Sequence, residues 1–125
     1  MEKKRESGGR RAPRLAVELP GDLVSRRSRA VTVVDLSLTG CLVRCEALLD
    51  ADQVLDLRTT LGAAPFTAKV RVTESYVDGS TGSGASPRYL AGLAFLGLQN
   101  QEEARLRRFL EEERRRRRGA DPSSR

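Results

Sequence analysis

The chain has 125 residues, 38% of them hydrophobic and 32% charged, which fits one domain with a modest core. Its formal net charge is +6. It contains no His, which excludes the usual catalytic triads and the commonest general base. No apolar run approaches the roughly 20 residues that span a bilayer, and the charged start lacks a signal-peptide core, so we expect a cytoplasmic protein without a membrane span.

The chain begins with a polar segment that predicts an arm. Residues 1–9 are charged and end in Ser-Gly-Gly, so we expect them to be flexible. Arg10, Arg11 and Arg14 follow, and Pro13 disfavours a helix through them. In an extended segment, Arg10 and Arg14 lie up to roughly 13 Å apart, which suits two contacts with one dinucleotide-sized anion. Solvated charges in a disordered tail are the alternative.

Six segments have the alternation or the β-branched content of strands. The predicted strands are 15–20, 29–35, 41–46, 53–60, 66–74 and 89–96. In segment 66–74, apolar residues at 66, 68, 70 and 72 alternate with polar residues at 67, 69, 71 and 73, as in an antiparallel strand with one buried face. Pro20 and Gly21 are expected to end the first strand. Residues 78–87 are rich in Gly and Ser and predict a flexible hairpin loop.

After the last strand the apolar residues take up helical spacing. Ala104, Leu106, Phe109 and Leu110 form a short apolar stripe that should dock on the sheet. We therefore predict an all-β fold, a six-stranded antiparallel β-barrel over residues 10–98 with a C-terminal α-helix over 99–118 and a disordered tail at 119–125.

The predicted helix ends in a run of acidic and then basic residues. Residues 111–113 are Glu and residues 114–118 are Arg, which gives three i, i+4 pairs in the favoured order, each worth about 0.2 to 0.5 kcal/mol. A solvated, self-paired helix end is the favoured interpretation. Binding of nucleic acid or of an acidic partner is the alternative.

The positive charge is concentrated at the two ends of the chain. Residues 1–14 carry six basic and two acidic groups, residues 15–98 carry eight and nine, and residues 99–125 carry nine and six. A near-neutral body with a basic arm favours recognition of a small anion over general binding of nucleic acid.

The two cysteines predict neither a disulfide nor a metal site. Cys41 and Cys45 lie four apart in a predicted strand, so their Cα atoms should be roughly 13 Å apart, beyond disulfide reach. Without His, two thiols are too few ligands for zinc. No grouping of carboxylates or lysines indicates catalysis, so we expect no enzymatic activity, no catalytic residue and no metal.

A polar break at residues 35–40 separates two apolar strands. Alternation along a strand would direct Asp35 and Ser37 to the same face, and Gly40 allows a positive φ or a close approach. The break therefore predicts a carboxylate and a hydroxyl side by side at the sheet rim. A capped hairpin turn has the same residues and is the alternative.

Taken together, Arg10-x-x-x-Arg14 and Asp35-x-Ser37-x-x-Gly40 resemble the two-part signature of PilZ domains, bacterial receptors for cyclic di-GMP. The resemblance covers residues 10–98, and the closing helix is also similar to that of family members. It implies a nucleotide-binding barrel whose N-terminal arm closes over the ligand on the barrel's outer face. The implied ligand-binding residues are Arg10, Arg11, Arg14, Asp35, Ser37 and Gly40.

The resemblance also implies a role for each residue type. The arginines would share guanine and phosphate contacts, because a guanidinium can stack on a purine, bridge its O6 and N7, or pair with phosphate. Asp35 would accept from guanine N–H groups, Ser37 would add a hydroxyl contact, and Gly40 would keep the turn clear for the ligand.

The leading functional hypothesis is a second-messenger receptor or adaptor that binds cyclic di-GMP and signals to a downstream protein partner. A second hypothesis is a PilZ-like interaction module without ligand. A third is a small basic barrel that binds RNA or DNA, against which stand the net charge of −1 over residues 15–98 and the shortage of aromatic residues for base stacking.

Overall fold

The computed structural model describes residues 13–79 and 88–120, with the side chain of residue 120 excepted. Arg10, Arg11 and the predicted arm at 1–9 lie outside the described residues. The same holds for residues 80–87 of the predicted loop and for residues 121–125 of the predicted tail.

The described chain forms a closed barrel of six strands followed by one helix. The elements are β1 Leu15–Val24, β2 Ser28–Leu36, β3 Gly40–Cys45, β4 Val54–Leu61, β5 Ala64–Val77, β6 Tyr89–Phe95 and α1 Asn100–Ala120. All neighbouring strands are antiparallel, in the order β1-β2-β3-β6-β5-β4, and β1 pairs with β4 to close the barrel. The predicted fold class is confirmed.

Strand β1 continues through Pro20 and Gly21, where the sequence predicted its end. The ladder between β1 and β4 begins at Gly21, one residue after the proline. The Thr59 hydroxyl of β4 donates to the Pro20 carbonyl at 2.8 Å. A Cβ on Gly21 would lie 2.6 Å from the carbonyl oxygen of Arg58, so the two strands approach closely here. Pairing on both sides of β1 thus carries the strand through a dipeptide that is typical of turns.

The core is built from aliphatic side chains with few aromatic rings. In β5 the buried residues alternate with exposed ones from Phe66 to Val72, as predicted. The Phe66 and Phe95 rings pack edge to face with their centroids 6.0 Å apart. Cys41 and Cys45 are free thiols buried in the core, which confirms their predicted place.

Helix α1 docks on the barrel through two leucines. Leu106 and Leu110 are 0% and 2% exposed and belong to the barrel core, and Phe109 packs against it. Ala104, which the sequence analysis placed on the docking stripe, is exposed, so this part of the prediction was wrong. Arg105 donates instead to the Pro65 carbonyl at 3.3 Å, at the start of β5.

The ion pairs at the end of α1 converge on one carboxylate. Glu113 pairs with Arg117 at 3.6 Å, as predicted, and also with Arg116. The predicted pairing of Glu112 with Arg116 is thus replaced by an i, i+3 pair. Within the described ranges, no helix has the length and apolarity needed to span a membrane.

Candidate functional site

Antiparallel pairing of β1 with β2 brings the two halves of the sequence motif together. Leu15, the first residue of β1, pairs with Leu36, the last residue of β2, and Ala16 pairs with Asp35. The chain that enters the barrel therefore lies beside the turn between β2 and β3. Two segments about twenty residues apart in the sequence become neighbours at one barrel rim, as the register of a β-hairpin requires.

The contact between the halves is an ion pair. Arg14 Nη1 donates to Asp35 Oδ1 at 2.6 Å. The Arg14 side chain is 56% exposed and that of Asp35 is 22% exposed. A guanidinium has five N–H donors in a planar fork, so one contact with Asp35 leaves donors of Arg14 facing solvent. The ion pair therefore holds Arg14 at the rim and leaves further N–H donors of its guanidinium accessible to solvent.

Ser37 does not share the open face of Asp35. Strand β2 ends at Leu36, so the strand alternation does not reach Ser37, and the residue is 1% exposed. Its hydroxyl donates to the Gly40 carbonyl at 3.2 Å and accepts from the Thr39 and Gly40 amides at 3.2 and 3.3 Å. The expectation of a carboxylate and a hydroxyl side by side was wrong, because the hydroxyl satisfies backbone groups of the turn.

Gly40 leaves room for the backbone of β6. A Cβ at this position would overlap the carbonyl oxygen of Leu93 and lie 3.2 Å from the Cα atom of Ala94. Gly40 pairs directly with Ala94 in the ladder between β3 and β6. The close approach expected at Gly40 is confirmed, and the group that approaches is the backbone of β6.

Cys41 lies in the core beneath the ion pair. Burial, assisted by the Asp35 carboxylate and opposed by Arg14, raises the pKa of its thiol from 9.0 to about 12. The thiol is therefore protonated and unreactive at neutral pH. Across the described part of the chain, no group of three or more His, Cys, Asp or Glu residues could hold a metal ion.

A further arginine, which was not predicted to be part of the site, also lies at this rim. Arg114 of α1 donates to the Pro13 carbonyl at 3.3 Å, one residue before Arg14. The arginine run was predicted to be a solvated helix end, and no local pattern indicates that one of its members contacts residues 101 positions earlier. Of the six candidate residues, the structure describes four, while Arg10 and Arg11 lie outside the described ranges.

Comparisons with known proteins agree on the family and the fold. The family model described as PilZ domain matches residues 9–112. The PilZ domain with c-di-GMP of YcgR from Escherichia coli superposes with a TM-score of 0.73 at 15% identity, covering 87% of this chain and 94% of that chain. No curated protein sequence matches the chain.

Two longer proteins contain a similar fold. The MrkH–c-di-GMP complex from K. pneumonia gives a TM-score of 0.77 at 15% identity, covering 90% of this chain and 56% of that chain. The inhibitor of motility MotI/DgrA from Bacillus subtilis gives 0.72 at 14% identity, with 88% and 54% covered. The chain thus spans about half the length of these two proteins, and the likeness shows a shared fold.

Proposed function

This chain belongs to the PilZ domain family, and we propose that it is a receptor for cyclic di-GMP that acts by binding and not by catalysis. The observation that carries the proposal is the Arg14–Asp35 contact at 2.6 Å, since it joins the two halves of the binding signature at one rim. Two solved structures that the chain resembles, the PilZ domain of YcgR and MrkH, are described with this ligand.

Each half of the site has a different role in the proposed complex. Asp35 is held by strand pairing on both sides, and its carboxylate accepts hydrogen bonds from the N–H groups of a guanine edge. Arg14 keeps solvent-facing donors that suit a phosphate or the O6 and N7 atoms of guanine. Ser37 and Gly40 act indirectly, because they hold the turn and the strand spacing that position Asp35.

The arginine arm completes the proposed site. We expect Arg10 and Arg11 to reach the same ligand, since they precede Arg14 by only four and three residues and an extended chain advances up to about 3.6 Å per residue. Ordering the arm costs about 1 to 2 kcal/mol per backbone residue, so several charge-assisted bonds must form together before it closes. We propose that the closed arm presents a new surface to a downstream protein partner.

Calorimetric titration of cyclic di-GMP tests the proposal. We expect Arg14→Ala and Asp35→Ala each to weaken binding by about tenfold to a hundredfold, because each removes charge-assisted hydrogen bonds to the ligand. Both substitutions should change the free energy of unfolding by no more than about 1 kcal/mol, because the pair is partly exposed.

Asp56→Ala is the matched control. It removes the carboxylate of another ion pair on the barrel surface, with Lys69 at 3.2 Å, and should leave the affinity unchanged. A wild-type protein that gives no binding heat would overturn the receptor proposal and leave the ligand-free interaction module as the better hypothesis. Binding that survives both Arg14→Ala and Asp35→Ala would overturn the site assignment.

A further inference from the structure

The last turns of α1 return to the point where the chain enters the barrel. Leu106 and Leu110 anchor α1 in the core, and Arg114 follows Leu110 by one helical turn on the same face. That geometry directs the Arg114 side chain toward the barrel, where Nη2 donates to the Pro13 carbonyl at 3.3 Å. The contact joins residues 101 positions apart.

Arg114 differs from the four arginines that follow it. Its residue is half-buried, whereas Arg115 to Arg118 are exposed. Arg116 and Arg117 pair with the Glu113 carboxylate. Among the residues that the structure describes, the hydrogen-bond partner of Arg114 is the backbone oxygen of Pro13. Its guanidinium is therefore directed at the start of the arm and not at a neighbouring acid.

Three consecutive residues at the arm root are held by three different parts of the fold. The Pro13 carbonyl accepts from Arg114 of α1, Arg14 pairs with Asp35 of β2, and Leu15 is buried in the core. Proline has no N–H, so its carbonyl is the only backbone group through which Pro13 can be fixed by hydrogen bonding. The position of Pro13, the first described residue of the chain, is thus set partly by α1.

We infer that Arg114 is a positioning residue for Pro13 and Arg14 at the arm root and that it couples the end of α1 to the ligand site at Arg14 and Asp35. The inference rests on the proposed function for the identity of the ligand. If α1 holds the arm root in the orientation that binds ligand, then bound ligand must stabilise the end of α1 by the same free energy, because coupling between two sites is reciprocal. The end of α1 would then report ligand binding to a partner.

The test compares Arg114→Ala with Arg115→Ala, which removes the same charge from the adjacent, exposed position. We expect Arg114→Ala to weaken cyclic di-GMP binding by about threefold to tenfold, the effect of one lost hydrogen bond, and Arg115→Ala by less than about twofold. In the ligand-free protein, Arg114→Ala should also speed amide hydrogen exchange over residues 14–18, whereas Arg115→Ala should not.

Hydrogen exchange of the helix end provides the reciprocal measurement. Cyclic di-GMP should slow exchange over residues 111–118 in the wild type and in Arg115→Ala, but not in Arg114→Ala. An equal loss of affinity in both variants would show that the effect comes from net charge alone and would overturn the inference. Unchanged affinity in Arg114→Ala would also overturn it. If the wild type does not bind the ligand, the proposed function fails, and exchange over 14–18 alone then decides whether Arg114 holds the arm root.

Discussion

Strands β3 and β6 can pair at Gly40 because glycine has a hydrogen atom where any other residue has a side chain. The neighbouring atoms are backbone atoms of Leu93 and Ala94, which cannot move aside as the end of a flexible side chain would. Ser37 completes this arrangement, because its hydroxyl bonds to the backbone of the same turn. Two of the motif residues therefore maintain the barrel itself, and in the proposed complex we expect direct contact with the ligand from Asp35 and the arginines.

Substituting Gly40 should destabilise the fold. We expect Gly40→Ala to lower the free energy of unfolding by about 3 kcal/mol, the upper part of the range for overpacking, because the clash is with backbone. Urea denaturation followed by circular dichroism measures the change. Gly79→Ala is the control, since a Cβ there would meet none of the residues that the structure describes within 4 Å. Equal stability of Gly40→Ala and wild type would contradict the close approach of β6.

The buried thiol of Cys41 predicts a loss of stability in alkali. Its pKa is about 12 in the folded state and near 9.0 when unfolded. Below pH 9 both states are protonated and the thiol's contribution to stability is complete. As pH rises from 9 toward 12 only the unfolded state ionises, so this contribution is lost, by about 1 kcal/mol between pH 8 and pH 10.

Cys41→Ala isolates this contribution. The variant should show a fall in the free energy of unfolding between pH 8 and pH 10 that is smaller by that amount, as measured by urea denaturation at both pH values. Any constant cost of the smaller side chain cancels in the comparison of slopes. Parallel slopes for the variant and the wild type would show that Cys41 does not titrate between the two states.

At the level of single elements, β1 illustrates how pairing overrides local preference. Pro20 and Gly21 are turn residues by their intrinsic conformational preferences. In the barrel they lie within a strand that is paired with both β2 and β4, and the Thr59 hydroxyl binds the Pro20 carbonyl. Closure of the barrel depends on this strand, because β1 and β4 are the pair that joins its two edges.

Removing the Thr59 hydroxyl should weaken that closure. Thr59→Val keeps the shape of the side chain but loses the hydrogen bond to Pro20, at a cost of about 1 kcal/mol in the free energy of unfolding. Thr60→Val makes the same chemical change at the next, exposed position and should be neutral or slightly stabilising. Thermal unfolding of the two variants side by side distinguishes them. Equal melting temperatures would mean that the hydroxyl contributes nothing to closure.

At the scale of the whole molecule, α1 is part of the barrel core and not an appendage. Leu106 and Leu110 are as buried as the inward-facing residues of the barrel strands. The helix also contacts Pro65 at the start of β5 and Pro13 at the entrance to β1. The helix, the arm root and the rim that carries Asp35 are therefore linked in one structural unit.

Truncating Leu106 should consequently destabilise the whole domain in a single cooperative transition. We expect Leu106→Ala to lower the free energy of unfolding by about 2 to 5 kcal/mol, the usual range for a large buried aliphatic side chain. Leu48→Ala, at a position that is 60% exposed, should change it by less than about 0.5 kcal/mol. A melting curve in which the helix of Leu106→Ala unfolds separately from an intact barrel would contradict the view of one unit.

The sequence by itself determined the fold class, five of the six strands to within a few residues of their ends and the helix, and it singled out Arg14 and Asp35, which the structure brings into contact. Such features are encoded locally, since alternation, helical spacing and turn residues depend on neighbours along the chain. Only the tertiary structure decided that β1 passes through Pro20, that Ser37 turns inward, that Gly40 faces β6 and that Arg114 reaches Pro13. Each of these depends on strand register or on a contact between distant residues, which no local pattern contains.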